Sequence, residues 1–517
     1  MGEKDHWAYN LAETVTSNFP GTSKYVCATG LSPSGRVHIG NFRDIITSDF
    51  VCRALQNSGL EAELVLSWDD FDRFRKVPKG VPNSFEKYIG MPLSAVPDPL
   101  GELSSYAERF GTELEDVLPQ LGITARIVSQ TDAYKRGDFD DSILVALHHR
   151  REIANILSKF KTQGLSEEEV EGYFPLQIYS RFTGKDNTTV LAFDGESNVT
   201  YSCQDTGKRD VVDITKERIV KLPWRVDWPM RWAKQQVHFE PGGKDHAGPQ
   251  GSYSSGKQIV EAIFNSVAPV FQGYEFVGIR GIEGKMSSST GELITPKELL
   301  KLYEPEMIRL MFARISPTSA FDFSFDAEVI RQYSELDRLL SHLQDASEVE
   351  KQTVELSLLK AVKKDNPISF RQAVGFGQIV DFNSTRLGEI MVESGIDCSS
   401  ESVVSRSQRA NVWLNEYNPG QATVLLSEKN EDYYEGLSQL EMNKLAKLKV
   451  LVDDEQIPLQ DLETKIYSLG KSDGELKGFF QNTYQLLFGK KGGPRLSTLI
   501  NFGDRKQISN LLDFVNS

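Results

Sequence analysis

Two separated segments of the chain carry residue types suited to gripping phosphate. In Pro33-Ser34-Gly35-Arg36-Val37-His38-Ile39-Gly40-Asn41, an imidazole, a glycine and a carboxamide follow directly on a glycine-bearing turn, Gly30 to Gly35. At the start of a helix such a turn lets backbone come close to an anion, and unpaired N–H groups at His38 to Asn41 would face it. His38 would donate to a phosphoryl oxygen, Gly40 would leave room over the helix for an adenine ring or ribose, and Asn41 would add a neutral donor. Standing alone, His38-Ile39-Gly40-Asn41 reads first as a histidine that caps a helix. The second segment, Lys285-Met286-Ser287-Ser288-Ser289, lies among Gly281, Gly284 and Gly291, 285 − 38 = 247 residues after His38. Lys285 would neutralise charge on a departing pyrophosphate, with the Ser287 and Ser288 hydroxyls as further donors. Alone, it reads as a solvated surface loop; the two segments together, on suitable elements and in this order, point to nucleotide chemistry.

The elements that must position them follow from pattern. Lys24 to Ala28 reads as a strand, and the apolar positions Ile39, Phe42, Ile45, Ile46, Phe50, Val51, Ala54 and Leu55 predict a helix that Gly59 stops. Glu63 to Ser67 predicts the next strand, so residues 24 to 67 form a strand-helix-strand unit of a parallel sheet. An irregular stretch from about 75 to 220 reads as an insertion, with a long helix near Asp141 to Lys161 and a hairpin around Asp194-Gly195. A helix from Lys257 to Phe264 and a strand from Tyr274 to Ile279 resume the α/β texture, and Thr295-Pro296-Lys297-Glu298 is a capping box. Beyond about Ala327 the spacing is helical, through Tyr333 to Leu343, Leu437 to Leu451 and Leu476 to Leu487, predicting a separate all-helical domain.

Bulk properties narrow the class. The chain has 517 residues, enough for two or three domains, and a net charge of −15, so a nucleic-acid partner must meet a local basic surface. The polar start Met1-Gly2-Glu3-Lys4-Asp5-His6 predicts neither a secretion leader nor myristoylation, and no apolar run suits a membrane span. Cys27, Cys52, Cys203 and Cys398 are scattered without a CxxC, which fits a reducing compartment and makes the cytoplasm the expected location. There is no GxxxxGK[ST], no GxGxxG after the first strand and no HExxH, so a P-loop ATPase is excluded and any metal is expected to be Mg²⁺ on the nucleotide.

The two phosphate segments resemble the HIGH and KMSKS signatures of class I aminoacyl-tRNA synthetases. Three further stretches are similar to the class I lysyl-tRNA synthetase family: Ser67-Trp68-Asp69-Asp70-Phe71-Asp72-Arg73-Phe74-Arg75-Lys76-Val77-Pro78, Lys221 to Trp232 with its three tryptophans, and Gly243-Lys244-Asp245-His246. The match spans most of residues 7 to 325, with a weaker echo at Tyr484 to Arg495. The resemblance implies a Rossmann-type α/β catalytic domain (residues 1–75 and 221–315), an inserted acceptor-binding subdomain (76–220), a linking helical segment (316–355) and a C-terminal all-α anticodon-binding domain (356–517). It also implies an amino-acid pocket of Gly30, Ser32, Trp224, His246 and Tyr274, an ATP site using Pro33, Gly40, Lys285, Ser287 and Ser288, and activity as a lysine–tRNA ligase acting on L-lysine, ATP and tRNA(Lys) as a monomer.

Chemistry agrees in part. A lysine stem wants aromatic walls, which Trp224 and Tyr274 could form, and its ammonium groups want carboxylates, which Asp69 and Asp70 could supply at a strand end. The structural alternative is that Asp69, Asp70 and Asp72 cap the next element and pair with Arg73 and Arg75, that Trp224, Trp228 and Trp232 form a packed helical stripe, and that His246 makes a structural hydrogen bond. The chain departs from the family pattern at Asn41 and Ser288, which shifts charge onto Lys285. It also has Ser180, Thr183, Cys203 and Thr206 where relatives carry paired CxxC knuckles, so no zinc is expected and the hairpin should hold by packing alone. Lys490, Lys491, Arg495, Arg505 and Lys506 form a basic cluster able to meet tRNA phosphates, or simply a solvated helix face. Two rivals stay open: a small-molecule nucleotidyltransferase that never touches RNA, and a noncatalytic tRNA-binding descendant.

Overall fold

The computed structural model describes residues 5–280, 294–359, 366–472 and 475–514. The chain divides into two compact units: one of Met1–Leu300, Pro305–Phe323 and Leu343–Leu359, the other of Lys301–Glu304, Ser324–His342 and Lys360–Ser517.

The first unit is built on a five-stranded parallel sheet: β1 (Tyr25–Leu31), β2 (Ala62–Trp68), β3 (Arg126–Ser129), β4 (Phe239–Gly243) and β5 (Val270–Tyr274), in the spatial order β5-β4-β1-β2-β3. The register sets Leu31 opposite Trp68, Trp68 opposite Ser129 and Gly243 opposite Tyr274, so the carboxyl ends of all five strands share one edge. Strand alternation sorts the faces of β1. Val26 and Ala28 pack with Val65, Trp228, Trp232 and Val260, while Thr29 points to the opposite face, toward the crossover helix α1 (Ile39–Asn57).

Helix α1 runs between sheet and outer elements, with 14 of its 19 residues buried, so the apolar positions Phe42, Ile45, Ile46 and Phe50 contribute about 1.5–3 kcal/mol each. Its buried polar residues need partners. Arg43 donates to the carbonyl oxygens of Glu275 (2.7 Å), Ser316 (3.0 Å) and Ser319 (2.8 Å), and Asp49 accepts from Arg309 (2.7 Å). Gly59, at φ +81°, lets the chain reverse after α1 where the pattern predicts a stop. Two further helices matter to the site: α2 (Gln130–Arg136), which follows β3, and α3 (Trp224–Gln235).

Several elements differ from their sequence prediction. The helix expected over Asp141 to Lys161 is two helices, Asp140–His148 and Arg150–Ser158, parted at His149. The strand expected from Tyr274 to Ile279 is split: β5 ends at Tyr274, the Glu275 N–H turns to the Pro317 carbonyl (2.8 Å), and Val277–Ile279 pairs instead with Phe321–Phe323. The helix expected over Lys257 to Phe264 begins earlier and spans Ser252–Ala262. In the insertion, a third strand, Arg209–Asp213, joins the predicted hairpin of Thr188–Phe193 and Asn198–Cys203. This region shares one core with α3, where Phe71, Tyr134, Ile143, Tyr179 and Tyr201 pack with Val226 and Met230.

The second unit is helical among its described residues, with Glu328–Ser341, Ser400–Val412, Gln439–Asp453, Leu459–Lys471 and Leu476–Phe488 among its longer helices. Buried Arg406 bonds Asp337 (2.6 Å) and lies over the Tyr333 ring, which stacks on Phe370 at 4.2 Å. The helix Glu348–Ser357 belongs to the first unit, where Arg309 donates to the Leu356 carbonyl (2.8 Å). Among the described residues no helix is long and apolar enough to cross a membrane.

Candidate active site

The sheet edge collects most of the expected pocket residues: Gly30 in β1, Ser32 just after it, Asp69 and Asp70 after β2, His246 just after β4, and Tyr274 at the end of β5. This is where open α/β sheets take ligands.

The start of α1 differs from the expected anion cradle. His38 is the N-cap, and its Nδ1 accepts from the N–H groups of Gly40 (3.0 Å) and Asn41 (3.3 Å). The Ile39 N–H donates to the Ile294 carbonyl (3.0 Å), and that of Phe42 donates to the His38 carbonyl (2.9 Å). The helix's first N–H groups are therefore satisfied by protein, and a phosphate here must be met by side chains and by the helix dipole. Capping and phosphate donation are compatible in His38: with Nδ1 accepting, the neutral ring carries its proton on Nε2. The role expected of Gly40 also changes. A methyl group built there would lie 2.9 Å from His38 Cε1, so the space it leaves is filled by the imidazole rather than by a nucleotide ring. The turn behind is braced by Arg36, which bonds Glu113 (2.9 Å) and Glu298 (3.3 Å), and by the Tyr106 hydroxyl, which donates to the Ser34 carbonyl (2.9 Å). Pro33 is buried in this turn.

Lys285, Ser287 and Ser288, with Met286 and Ser289, lie outside the described residues. The described chain on either side of them meets the start of α1, through Val277, whose carbonyl lies 3.8 Å from the Gly40 methyl position, and through Ile294. The capping box beyond is formed, with the Thr295 N–H donating to Glu298 (2.7 Å).

On the other face of the sheet edge, the tryptophan stripe divides its labour. Trp228 and Trp232 are core residues, 4% and 1% exposed, whereas Trp224 is half-buried and stacks on Trp228 at 5.0 Å. The His246 ring lies 6.3 Å from that of Trp224 and 5.8 Å from that of Trp228. Sequence reasoning missed Arg231, a buried guanidinium in the middle of this wall. It donates to Asp69 (2.8 Å), lies 3.1 Å from Asp227 and sits over the Trp224 ring at 5.4 Å. Burial opposes its charge, but Asp69, Asp227 and Glu240 outweigh that and keep it cationic.

The Asp69-Asp70 pair is therefore not presented jointly to a ligand. Asp69 is committed to Arg231, while Asp70 accepts from the Thr131 N–H (2.7 Å) and the Ser129 hydroxyl (2.5 Å) at the start of α2. Burial raises both carboxyls, and Arg231 partly offsets this at Asp69, as the hydrogen bonds do at Asp70. The capping alternative thus describes Asp70, although the partner of Asp72 is Lys221 and that of Arg73 is Asp186 (3.4 Å).

Two more carboxylates were missed. Glu240 in β4 is buried and accepts from Trp232 Nε1 (2.6 Å); desolvation raises it. Asp44 in α1, 6% exposed, accepts from the hydroxyls of Thr29 and Tyr274, and burial pushes it up to about 7. The available signal was Arg43-Asp44 and Asp49 interrupting an otherwise apolar helix pattern.

At the place where relatives carry a knuckle, Ser180, Thr206 and backbone N–H groups of residues 205 and 206 hydrogen-bond the Cys203 thiol and hold it near 7 despite desolvation. The corner is thus tied by hydrogen bonds as well as packing, and one thiol among hydroxyls does not fit zinc. In the second unit, Lys490 donates to the carbonyls of Gly420 (3.0 Å) and Ala422 (2.5 Å), Arg495 pairs with Glu463, and Arg505 donates to the Asp454 carbonyl (3.3 Å), while Lys491 and Lys506 are exposed. Arg495 also lines a cavity of about 170 Å³ with Tyr467, Phe480 and Tyr484.

Comparison with known proteins gives the family. The family described as tRNA synthetases class I (K) matches residues 5–361. A lysine–tRNA ligase of Borrelia garinii subsp. bavariensis is 34% identical over 514 residues, covering 96% of each chain. Another, from Thermococcus kodakarensis, is 35% identical over 511 residues, covering 96% of this chain and 97% of that one. A third, from Treponema pallidum, is 33% identical and covers 98% of each. With a matched family spanning both phosphate segments, the tryptophan wall and the whole parallel sheet, this chain belongs to the class I lysyl-tRNA synthetases.

Proposed function

We propose that the chain is a lysine–tRNA ligase, which activates L-lysine with ATP and passes it to the 3′ end of tRNA(Lys). The observation that carries this reading is the meeting, at one sheet edge, of the His38-capped start of α1 with an aromatic wall and buried carboxylates, a setting suited to a cationic amino acid beside a triphosphate.

In the first step a lysine carboxylate oxygen attacks the α-phosphorus of ATP and pyrophosphate leaves. Positioning and charge stabilisation supply the rate, and no protein nucleophile is required. His38 Nε2–H and the Asn41 amide donate to phosphoryl oxygens, and Lys285 with Ser287 and Ser288 offsets charge on the leaving group. Mg²⁺ travels on the triphosphate. Gly30, Ser32, Trp224, His246 and Tyr274 enclose the amino acid, with Arg231 and Asp69 holding the Trp224 wall in place. In the second step a ribose hydroxyl of the terminal adenosine attacks the carbonyl carbon and AMP leaves.

The helical unit binds the anticodon stem and loop. The aromatic cavity beside Arg495 supports this, since base stacking on exposed aromatic rings is a common mode of single-stranded RNA recognition. Of the basic cluster, Lys491 is the better placed for phosphate, because Lys490 is engaged with backbone carbonyls. The enzyme works in the cytoplasm as a monomer. Aminoacylation of total tRNA with each of the twenty amino acids tests the reading. Charging with lysine alone supports it, and binding of tRNA without charging refutes it in favour of a noncatalytic descendant.

A further inference from the structure

The insertion carries one short pattern twice, Ser180-Arg181-Phe182-Thr183-Gly184-Lys185 and Cys203-Gln204-Asp205-Thr206-Gly207-Lys208, each with a side-chain acceptor at its first and fourth positions. The two copies fold alike. In each, the N–H of the first residue donates to the lysine carbonyl (Ser180 to Lys185, 2.8 Å; Cys203 to Lys208, 2.9 Å), and the glycine N–H donates back to the first residue's carbonyl (2.7 Å from Gly184, 2.8 Å from Gly207). The lysine N–H donates to the threonine hydroxyl oxygen, at 3.3 Å in both copies. The N–H of the third residue donates to the first side chain, Phe182 to Ser180 Oγ (3.1 Å) and Asp205 to Cys203 Sγ. Both glycines take positive φ, +71° at Gly184 and +68° at Gly207. Two turns that offer side chains two residues apart, set against each other, are the scaffold of a four-ligand zinc knuckle. The side chains on this scaffold are not ligands for zinc, because the neutral hydroxyls of Ser180, Thr183 and Thr206 do not give up their protons to an ion as thiols do. Hydrogen bonds span the gap. The Cys203 thiol, fully buried, meets Ser180 from the other turn and Thr206 from its own, the Gln204 N–H donates to the Asn187 carbonyl (2.9 Å), and the Asn187 amide donates to Asp205 (2.7 Å). Outside them the Lys208 ammonium lies 5.4 Å from the centre of the Phe182 ring.

We infer that this corner is a knuckle closed without metal: both turns keep the scaffold of a zinc site, and the Cys203 thiol, as the hydrogen-bond partner common to the two, joins them in place of an ion. Two consequences follow for the chain. Its insertion folds without regard to the supply of zinc, and Cys203 serves as an acceptor rather than a ligand, so that a hydroxyl of similar size can stand in for it. The scaffold is also only three side chains short of a metal site. Ser180→Cys, Thr183→Cys and Thr206→Cys on the same backbone would supply four thiolates, and Thr206, which is exposed, leaves an ion a path of entry.

The experiment combines metal analysis with thermal unfolding of the full chain. Wild-type protein purified from zinc-supplemented medium should hold less than about 0.1 zinc per chain, and its melting temperature should move by less than about 1 °C in EDTA. About one zinc per chain, or a clear fall in melting temperature on chelation, overturns the inference. Cys203→Ala, which removes the shared acceptor, should lower the melting temperature by about 3–6 °C, whereas Cys203→Ser should stay within about 2 °C of wild type. Equal losses in the two variants, or no loss in Cys203→Ala, overturn it. The variant carrying Ser180→Cys, Thr183→Cys and Thr206→Cys should bind about one Co²⁺ per chain with the visible bands of a tetrahedral cobalt thiolate, and should melt higher with the ion than without it. A folded triple variant that lacks those bands shows that the four positions do not converge and overturns the inference; should it not fold, the comparison of the two Cys203 variants decides.

Discussion

Replacing Asp44 by asparagine should stabilise the ligand-free protein, and by an amount that depends on pH. The Asp44 carboxyl titrates near 7 in the folded chain, because burial disfavours its charge more than the Thr29 and Tyr274 hydroxyls restore it, against an ordinary value of 3.8. The folded state therefore holds this proton more tightly than the unfolded state. The stability it contributes is fully present below pH 3.8 and is lost progressively as pH rises to about 7. The gap between the two values corresponds to about 4 kcal/mol, an upper figure, of which roughly 2–3 kcal/mol should disappear between pH 5 and pH 8. The Asp44→Asn protein lacks this loss, and its amide oxygen can still accept from Thr29. Its stability advantage should therefore grow by that roughly 2–3 kcal/mol from pH 5 to pH 8, while titrations common to both proteins cancel in the difference. Urea unfolding followed by tryptophan fluorescence reads the relevant unit, because Trp7, Trp68, Trp224, Trp228 and Trp232 lie in it and only Trp413 lies in the other. A difference that stays constant across this pH range, or a wild-type protein that is the more stable one at pH 8, would show that burial does not raise the Asp44 carboxyl in the folded chain.

Three further outcomes follow from the same geometry. Gly40→Ala puts a methyl group 2.9 Å from His38 Cε1 and should swing the ring off its cap, lowering stability by about 1 kcal/mol and slowing pyrophosphate exchange at least about tenfold; undiminished exchange would show that the ring position is unimportant. Arg231→Met leaves Asp69, Asp227 and Glu240 without their shared cation and should destabilise the protein by about 3–5 kcal/mol at pH 8 in urea titrations. Trp228→Ala should cost about 3–5 kcal/mol of stability, as expected of a core aromatic, whereas Trp224→Ala should cost less and chiefly raise the lysine KM; matching stability losses would place Trp224 in the core with its neighbour.

The parts of this protein legible from sequence are those set by local pattern. The β1-α1-β2 unit, the Gly59 stop, the Thr295-to-Glu298 capping box and the helices at Glu328–Ser341, Gln439–Asp453 and Leu476–Phe488 follow from periodicity and cap chemistry acting over a few residues. Strand β4 was hidden because Pro241, Gly242 and Gly243 are residue types depleted in strands, and β3 because an edge strand with exposed Arg126 and Ile127 shows no apolar run. Within the site, the residue types of the two phosphate segments and of Trp224, His246 and Tyr274 could be singled out, but their partners could not. Asp69 meets Arg231 across 162 residues, and Ile39 meets Ile294, which follows the second phosphate segment in sequence, so nothing local marks either bond. The expected cradle of free N–H groups failed for that reason, and Asp44 passed as one polar position in an apolar helix.

Lysine-dependent exchange of radiolabelled pyrophosphate into ATP by the purified chain, run in parallel with the other nineteen amino acids, tests the proposed activity most directly. Exchange with L-lysine should run at least about 100-fold above every uncharged amino acid, since a site built for a cationic side chain leaves its polar groups unpaired when an apolar analogue binds. Exchange that no amino acid supports, or that a phosphorylated metabolite supports instead, would contradict it and point to a nucleotidyltransferase that uses the same turn.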